Sequence, residues 1–192
     1  PISGEESLRP IIDAYLDAGE WRNNGGTYVA TSGTSSWSVA SVALVAGTNT
    51  IDVRATDTAG NTFIRSTTVI RDNTNPTITV TTPSTNPFYT TAVSISLSGT
   101  ASDNILLSSV QWQNNGGGFA SATGTTSWSV GAVALLAGNN FIDVKATDAA
   151  GNSTTTTITV VRDNTSPVIT ITTNSGNDFA TNATPLTLAG TS

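Results

Sequence analysis

The chain repeats itself, and this repeat restricts the folds open to it more than any other feature of the sequence. A shift of 91 positions aligns residues 21–101 with residues 112–192 without a gap, so that Trp21 meets Trp112. About 55% of the aligned positions are identical. A repeat of this length is too long for a solenoid unit. We therefore expect each complete copy to fold as a small domain of its own.

The complete copy, residues 76–163, contains short segments in which apolar and polar residues alternate, as in half-buried β-strands. The segment VSISLS at 93–98 is one example. Turn sequences such as NNGGG at 114–118 and TDAAGN at 147–152 separate these segments, because Asn and Gly accept positive φ at low cost. About seven strands with no helix between them predict an all-β fold of antiparallel, immunoglobulin-like β-sandwiches in tandem.

The repeat also predicts the domain boundaries. Residues 76–163 correspond to a complete sandwich, whereas residues 21–72 correspond to the same domain without its first two strands. Residues 167–192 correspond to those first two strands alone. We therefore expect incomplete sandwiches on both sides of the complete one. The linkers RDNTNP and RDNTSP join the copies, and their proline should make them stiff.

The first part of the chain, residues 1–20, does not match its counterpart in the repeat. Pro10 suits a first helical position and Gly19 suits a C-terminal stop, while Tyr15 and Leu16 contribute to an apolar face. We therefore expect a short helix-like segment here. Its role stays open between a cap, a plug for the incomplete domain and the remnant of a neighbouring domain.

The composition argues against catalysis and against nucleic-acid binding. The chain has no His and no Cys, and Lys145 is its only lysine, so the usual general base and the thiol nucleophile are missing. Its Asp residues recur once per repeat in turns, which does not suggest a glycosidase carboxylate pair. The net charge of −6 does not favour a polyanionic partner. No apolar run approaches the ~18 residues that a membrane span requires.

Three kinds of segment carry a resemblance to a known family. The sequences NTIDVRATDTAGN and NFIDVKATDAAGN and the RDNTxP linkers resemble the bacterial immunoglobulin-like (Big-type) tandem repeats. Such repeats occur in secreted adhesins, surface proteins, extracellular fibres and some secreted carbohydrate-active enzymes. The resemblance covers residues 21–192 and implies an extracellular or bacterial cell-surface location. It leaves the function open, because these modules serve as stalks, fibres, ligand-binding tips and enzyme spacers.

Acidic residues in turns suggest a calcium site. In an immunoglobulin-like sandwich the incoming linker and two of the turns lie at one end, which should bring together Asp72, Asp103 and Asp148. Three carboxylates make a hard oxygen site suited to Ca²⁺. Asp57 and Asp163 are the corresponding acids of the other copy and of the second linker. The resemblance implies that calcium binds at such joints and stiffens the rod. The alternative stays open that each Asp only accepts local backbone hydrogen bonds in its turn.

Four tryptophans occur at equivalent positions of the two copies: Trp21, Trp37, Trp112 and Trp128. They could form sugar-stacking platforms or belong to the cores of the sandwiches. Their alternation places them with the apolar faces of the strands, and a Trp in the core is common in this fold class. We therefore predict that they are core residues.

The two incomplete domains complement each other in sequence. Segment 167–192 carries five apolar residues on the face that would point inward, namely Ile169, Ile171, Phe179, Leu186 and Leu188. Uncovered apolar faces and open strand edges favour association. We predict that 167–192 of one chain completes 21–72 of the next copy by strand complementation, giving a fibre or stalk. The alternative is a fragment of a larger adhesin or secreted carbohydrate-active enzyme, with spacer or binding modules packed beside neighbouring immunoglobulin-like repeats.

Overall fold

The computed structural model describes residues 16–33 and 36–192. Nearly all of its regular structure is β-strand, which confirms the predicted all-β fold. The chain divides into two compact units. One contains the described residues up to Pro76 together with Asp103–Leu106 and Thr147–Ser153, and the other contains Thr77–Ser102, Leu107–Ala146 and Thr154–Ser192.

The strands follow one another with little else between them. In chain order they are β1 (Leu16–Asn23), β2 (Val29–Ala30), β3 (Gly47–Asp57), β4 (Thr62–Arg71), β5 (Thr77–Thr82), β6 (Phe88–Thr90), β7 (Ser94–Ser102), β8 (Leu107–Asn114), β9 (Ala120–Ser121), β10 (Ser127–Ala134), β11 (Gly138–Asp148), β12 (Ser153–Arg162), β13 (Thr170–Ile171) and β14 (Gly190–Thr191). A short 3-10 turn lies at Thr173–Gly176. Within the described residues, no helix has the length and hydropathy to cross a membrane.

The first unit contains one antiparallel sheet with the strand order β2-β1-β3-β4. Strand β3 is central, and its pairing with β4 runs without interruption from Gly47 opposite Arg71 to Thr56 opposite Thr62. Asn24 and Gly25 adopt positive φ in the turn after β1, as the NNGG sequence predicts.

The helix expected near the start of the chain does not extend into the described residues. From Leu16 onward the chain is strand β1, which pairs with β3 as far as Asn23 opposite Ile51. The long ladder with β3 outweighs the local helix signals, as tertiary pairing often does. Residues 1–15, where the rest of that predicted segment falls, lie outside the described residues.

The second unit holds the immunoglobulin-like sandwich. One sheet has the order β10-β7-β5 and the other has the order β6-β12-β11-β8-β9. The inward-facing residues alternate along the strands and fill the space between the sheets with aliphatic side chains and one indole. The buried core consists of Leu97, Ala101, Val110, Trp128, Val130, Val133, Leu135, Ile142, Val144, Ala146, Ile158 and Val160.

A buried asparagine fixes the turn that leads into the central strand of each copy. Asn140 is fully buried, and its side chain accepts from Leu136 N at 2.9 Å and donates to Leu136 O at 2.9 Å. Asn49 makes the same pair of bonds with Val45 in the first unit. These bonds satisfy the polar atoms of the two asparagine side chains, which would otherwise be buried without partners.

The segment after the complete sandwich contains a small strand pair of its own. Strand β13 pairs antiparallel with β14, with Thr170 opposite Thr191 and Ile171 opposite Gly190. All residues of both strands are exposed.

Candidate metal centre

Three carboxylates from separate parts of the sequence meet in the first unit. Asp72 follows β4 in the linker, Asp103 follows β7, and Asp148 is the last residue of β11. One oxygen from each carboxylate lies within 4.8 Å of the other two. Asp72 and Asp103 are half-buried and Asp148 is buried. The structure therefore brings together the three acids that the sequence suggested as a group.

Asp103 has one carboxylate oxygen bound and one free. Its Oδ2 accepts from the backbone N–H groups of Ile105 at 2.8 Å and Leu106 at 3.2 Å. Its Oδ1 is buried and has no hydrogen-bond partner among the described residues. A buried carboxylate oxygen without a partner lowers the stability of the folded state, so a hydrogen-bond donor or a cation at this atom would be favourable.

Asparagine side chains connect the linker to the two turns. Asn104 Nδ2 donates to Asp72 Oδ1 at 3.4 Å, and Thr74 N donates to the same oxygen at 3.1 Å. Asn152 Nδ2 donates to the backbone carbonyl of Asp72 at 3.3 Å and to Asp148 Oδ2 at 2.7 Å. Asn152 therefore positions the linker and the Asp148 carboxylate at the same time.

The Asp148 carboxylate is held in its ionised form. Burial by itself opposes ionisation, but hydrogen bonds from the Asn152 side chain and from the backbone of Asn152, Gly151 and Ala150 outweigh it. The net result is a pKa of Asp148 below its usual value of 3.8. The site thus keeps this negative charge at neutral pH.

We expect Asn152→Ala to raise the pKa of Asp148, because the variant removes the side-chain hydrogen bond to the ionised carboxylate. A carboxylate whose folded pKa is lowered contributes stability above its unfolded pKa and loses it as the pH falls through the folded pKa. The variant should therefore show a weaker loss of stability below about pH 4. Carbon NMR titration of the Asp148 carboxyl in EDTA measures the pKa directly. An unchanged titration curve would contradict this assignment of its cause.

The separations of the three carboxylates meet the distance requirement for ligands of one calcium ion. Oxygen ligands lie about 2.3–2.6 Å from Ca²⁺, so two ligands of one ion are separated by at most roughly 5 Å. The mutual distances of up to 4.8 Å among the three carboxylates fall within that limit. The buried Oδ1 of Asp103 has no hydrogen-bond partner among the described residues, so it would be free to bind an ion. Asp72, Asp103 and Asp148 therefore fit the ion.

The other two predicted acids lie outside this group. In the turn after β3, Asp57 accepts from the backbone of Ala59 and Asn61 at 2.9 and 2.8 Å. Its pKa is lowered chiefly by the Asn61 side chain, which donates to Oδ2 at 2.8 Å. Asp163 Oδ1 accepts from Thr165 N at 2.8 Å. Among the described residues, both acids act as turn residues of the kind that the alternative interpretation expected.

The tryptophans differ between the two units. Trp128 is 2% exposed, so its indole offers no face for sugar stacking, and Trp112 is partly buried against the same core. Trp21 is half-buried. Trp37, also predicted as a core residue, is 50% exposed. Its counterpart Trp128 lies under strands that have no equivalent among the described residues of the first unit, which explains the difference.

The five apolar residues predicted to act as donor side chains are all exposed within this chain. Their exposed fractions range from 44% for Phe179 to 83% for Ile169. The complete set is Ile169, Ile171, Phe179, Leu186 and Leu188. The contact that would cover them therefore stays a prediction.

Sequence reasoning did not identify two kinds of side-chain contact. Asn152 and its counterpart Asn61 occur four residues after an aspartate in both copies, which could have marked them as partners of those acids. The ring of Tyr28 is covered by the guanidinium of Arg54, 3.8 Å from the ring centroid. This cation–π contact leaves that face of the ring unavailable to a sugar.

Comparison with known proteins adds a family match over part of the chain. The family described as "Glucodextranase, domain B" matches residues 76–164, which include the complete sandwich. No curated protein matches the chain. Together with the sheet order, this match identifies an immunoglobulin-like β-sandwich domain.

Two solved structures are also similar to the chain. One is described as fibronectin(III)-like modules of CbhA from Clostridium thermocellum, with 20% identity, 77% of this chain and 78% of that chain covered, and a TM-score of 0.46. The other is a chimeric titin Z1Z2-Z1Z2 tandem, with 13% identity, 77% and 84% coverage, and a TM-score of 0.31.

Proposed function

We propose that this chain is a non-catalytic segment of an extracellular bacterial protein, in which immunoglobulin-like domains act as spacers. The proposal is supported by the match of residues 76–164 to a domain of glucodextranase, an enzyme named for its carbohydrate substrate. It is also supported by the short linker that ends in the buried Pro76. The larger protein would be an adhesin or a secreted carbohydrate-active enzyme, and the domains would hold its functional parts apart.

The carboxylate group adds a calcium-dependent element to this spacer. Asp72, Asp103 and Asp148 would hold the ion, which when bound would neutralise the repulsion between three neighbouring negative charges. The linker residue Asp72 would then be tied to the turns that carry the other two acids. The observation that carries this proposal is the buried, unpartnered Oδ1 of Asp103 within the group.

Calcium should stabilise the folded chain, because it would bind the native arrangement of the three carboxylates and not the unfolded chain. At a free concentration of about 100 times Kd, binding adds about 2.7 kcal/mol to the free energy of unfolding. We expect differential scanning calorimetry to show a melting temperature several degrees higher in calcium than in EDTA. Asp103→Asn should abolish this difference.

Asp163→Asn is the matched control, since Asp163 occupies the equivalent position in the second linker but lies outside the carboxylate group. This variant should keep the full response to calcium. Equal melting temperatures of the unaltered chain in calcium and in EDTA would refute the calcium site. A full response to calcium in the Asp103→Asn variant would show that the effect of calcium does not arise at this group.

A second candidate function is that of a fibre or stalk subunit that assembles head to tail with copies of itself. One specific observation favours it. In the first unit, apolar side chains such as Trp37 and Val69 are exposed although their counterparts in the complete copy are buried. Segment 167–192 exposes the apolar side chains that correspond to strands β5 to β7, which close the complete sandwich. Strand complementation between copies would cover both sets at once.

A further inference from the structure

Among the described residues 16–33 and 36–76, the first unit leaves uncovered the sheet face that the second unit buries. Trp37 is 50% exposed whereas its counterpart Trp128 is 2% exposed, and Val69 is 36% exposed whereas Val160 is fully buried. The face forms an open hollow of about 510 Å³ around Trp37. That hollow is lined by Trp37, Ile51, Val53, Ala55, Phe63, Arg65, Ser66 and Thr67.

In the complete sandwich, the sheet β10-β7-β5 packs over the equivalent face. Strand β7 pairs with β10 and β5 pairs with β7, while β6 extends the other sheet by pairing in parallel with β12. Residues 36–43 of the first unit correspond to β10, yet they form no strand and make only the single bridge between Ser32 and Ser38. Their backbone lacks the neighbour that β10 has in β7, and an open edge of this kind can accept an added strand.

Segment 167–192 has the same strand pairing as β5 and β7 of the complete copy. In the complete copy Thr79 lies opposite Thr100 and Val80 lies opposite Gly99. The residues 91 positions later are Thr170 opposite Thr191 and Ile171 opposite Gly190, and these are the two pairs observed between β13 and β14. The segment therefore presents the register of β5 and β7 with its apolar side chains uncovered.

A polar anchor is repeated as well. In the complete copy Asn86 clamps β12, because its Oδ1 accepts from Thr159 N at 2.9 Å and its Nδ2 donates to Thr157 O at 3.4 Å. Asn177 occupies the same position in segment 167–192, followed by Phe179 at the position of Phe88. The segment thus carries an equivalent for each kind of contact that closes the complete sandwich.

We propose that residues 167–192 of a second copy of this chain occupy the uncovered face of the first unit. Strand β14 and the residues before it would add along 36–43, with Ala189 opposite Ser38 as Ser98 lies opposite Ser129. Leu186 and Leu188 would cover the face beside Trp37, and Phe179 would pack near Val69. The inference rests on the second candidate function and names its contact surface. Such a contact is heterologous and can continue from copy to copy.

Engineered disulfides test both the partner and the register. In the complete copy the backbone of Ser129 bonds to Thr123, so Ser98 and Ser129 form a non-hydrogen-bonded pair with Cα atoms about 4.5 Å apart. That separation suits a disulfide, and the chain has no cysteine of its own. Ser98→Cys with Ser129→Cys should therefore close within one chain. Ser38→Cys with Ala189→Cys should give a ladder of covalently linked copies on non-reducing gels.

The shifted pair Ser38→Cys with Thr187→Cys is the matched negative control, because a diagonal pair about 7 Å apart at Cβ is too distant for a disulfide. A ladder from the Ala189 pair alone establishes the proposal. Closure of the Ala189 pair within a single chain, equal ladders from both pairs, or no ladder while the Ser98–Ser129 pair closes, would each overturn it.

Sedimentation of the unaltered chain at the same concentration distinguishes the proposed face from head-to-tail assembly in general. If the chains associate but the Ala189 cysteine pair gives no ladder of its own, the proposed face is rejected while head-to-tail assembly remains possible. A chain that remains monomeric would reject both, whereas the calcium response of the spacer is measured independently of either result.

Discussion

Gly99→Ala is expected to destabilise the complete sandwich by about 3 kcal/mol, because the added methyl group has no room. A Cβ at this position would collide with the carbonyl oxygen of Thr79 and would lie 2.5 and 2.8 Å from two ring atoms of Trp128. Backbone on one side and a buried indole on the other cannot both move away without opening the core. Hydrogen exchange of the β11 amides measures the change, since amides of a core strand exchange mainly when the whole domain unfolds.

Gly131→Ala is the matched control for Gly99→Ala. Gly131 lies in β10, does not adopt positive φ, and leaves open space within 4 Å of the position that an added methyl group would take. Its replacement should change the free energy of unfolding by less than about 1 kcal/mol. If both variants lose a similar free energy of unfolding, the close contact of Gly99 with Trp128 is not the reason that Gly99→Ala is destabilising.

Much of the fold could be predicted because both copies carry the same alternation. Segments such as 93–98 place apolar residues at every second position, and β7 buries Leu97 in the way that this pattern requires. The short strands β6 and β9 were not predicted, because two or three residues are too few to show a period. Residues 16–20 of strand β1 were also missed, since their structure depends on the distant partner β3.

The acidic group could be anticipated in part from topology. Turns at one end of a sandwich lie together, and this rule brought Asp72, Asp103 and Asp148 into one prediction. It could not show which of their oxygens are free, because that depends on local N–H groups such as that of Ile105. Nor could sequence alone reveal the exposure of Trp37, since an identical WSV segment is buried in the other copy by strands β5 and β7.

Ile142→Ala is expected to cost about 2–5 kcal/mol in the complete sandwich, the usual range for a fully buried isoleucine. The same change at the counterpart, Ile51→Ala, should cost less than about 1.5 kcal/mol in dilute solution, because Ile51 is half-buried beside an open face. The two residues lie at the same position of the repeat and in equivalent central strands. The difference between the two losses of unfolding free energy therefore measures how much the covering strands add to the stability that this isoleucine provides.

Hydrogen exchange of the β3 and β11 amides in each variant provides the two free energies from separate units. If a second copy docks on the first unit, the cost of Ile51→Ala should rise with protein concentration, while that of Ile142→Ala should stay constant. The reason is that docking would bury Ile51 as strands β5 and β7 already bury Ile142. An Ile51→Ala variant as costly as Ile142→Ala at the lowest concentration would mean that the face is covered within a single chain.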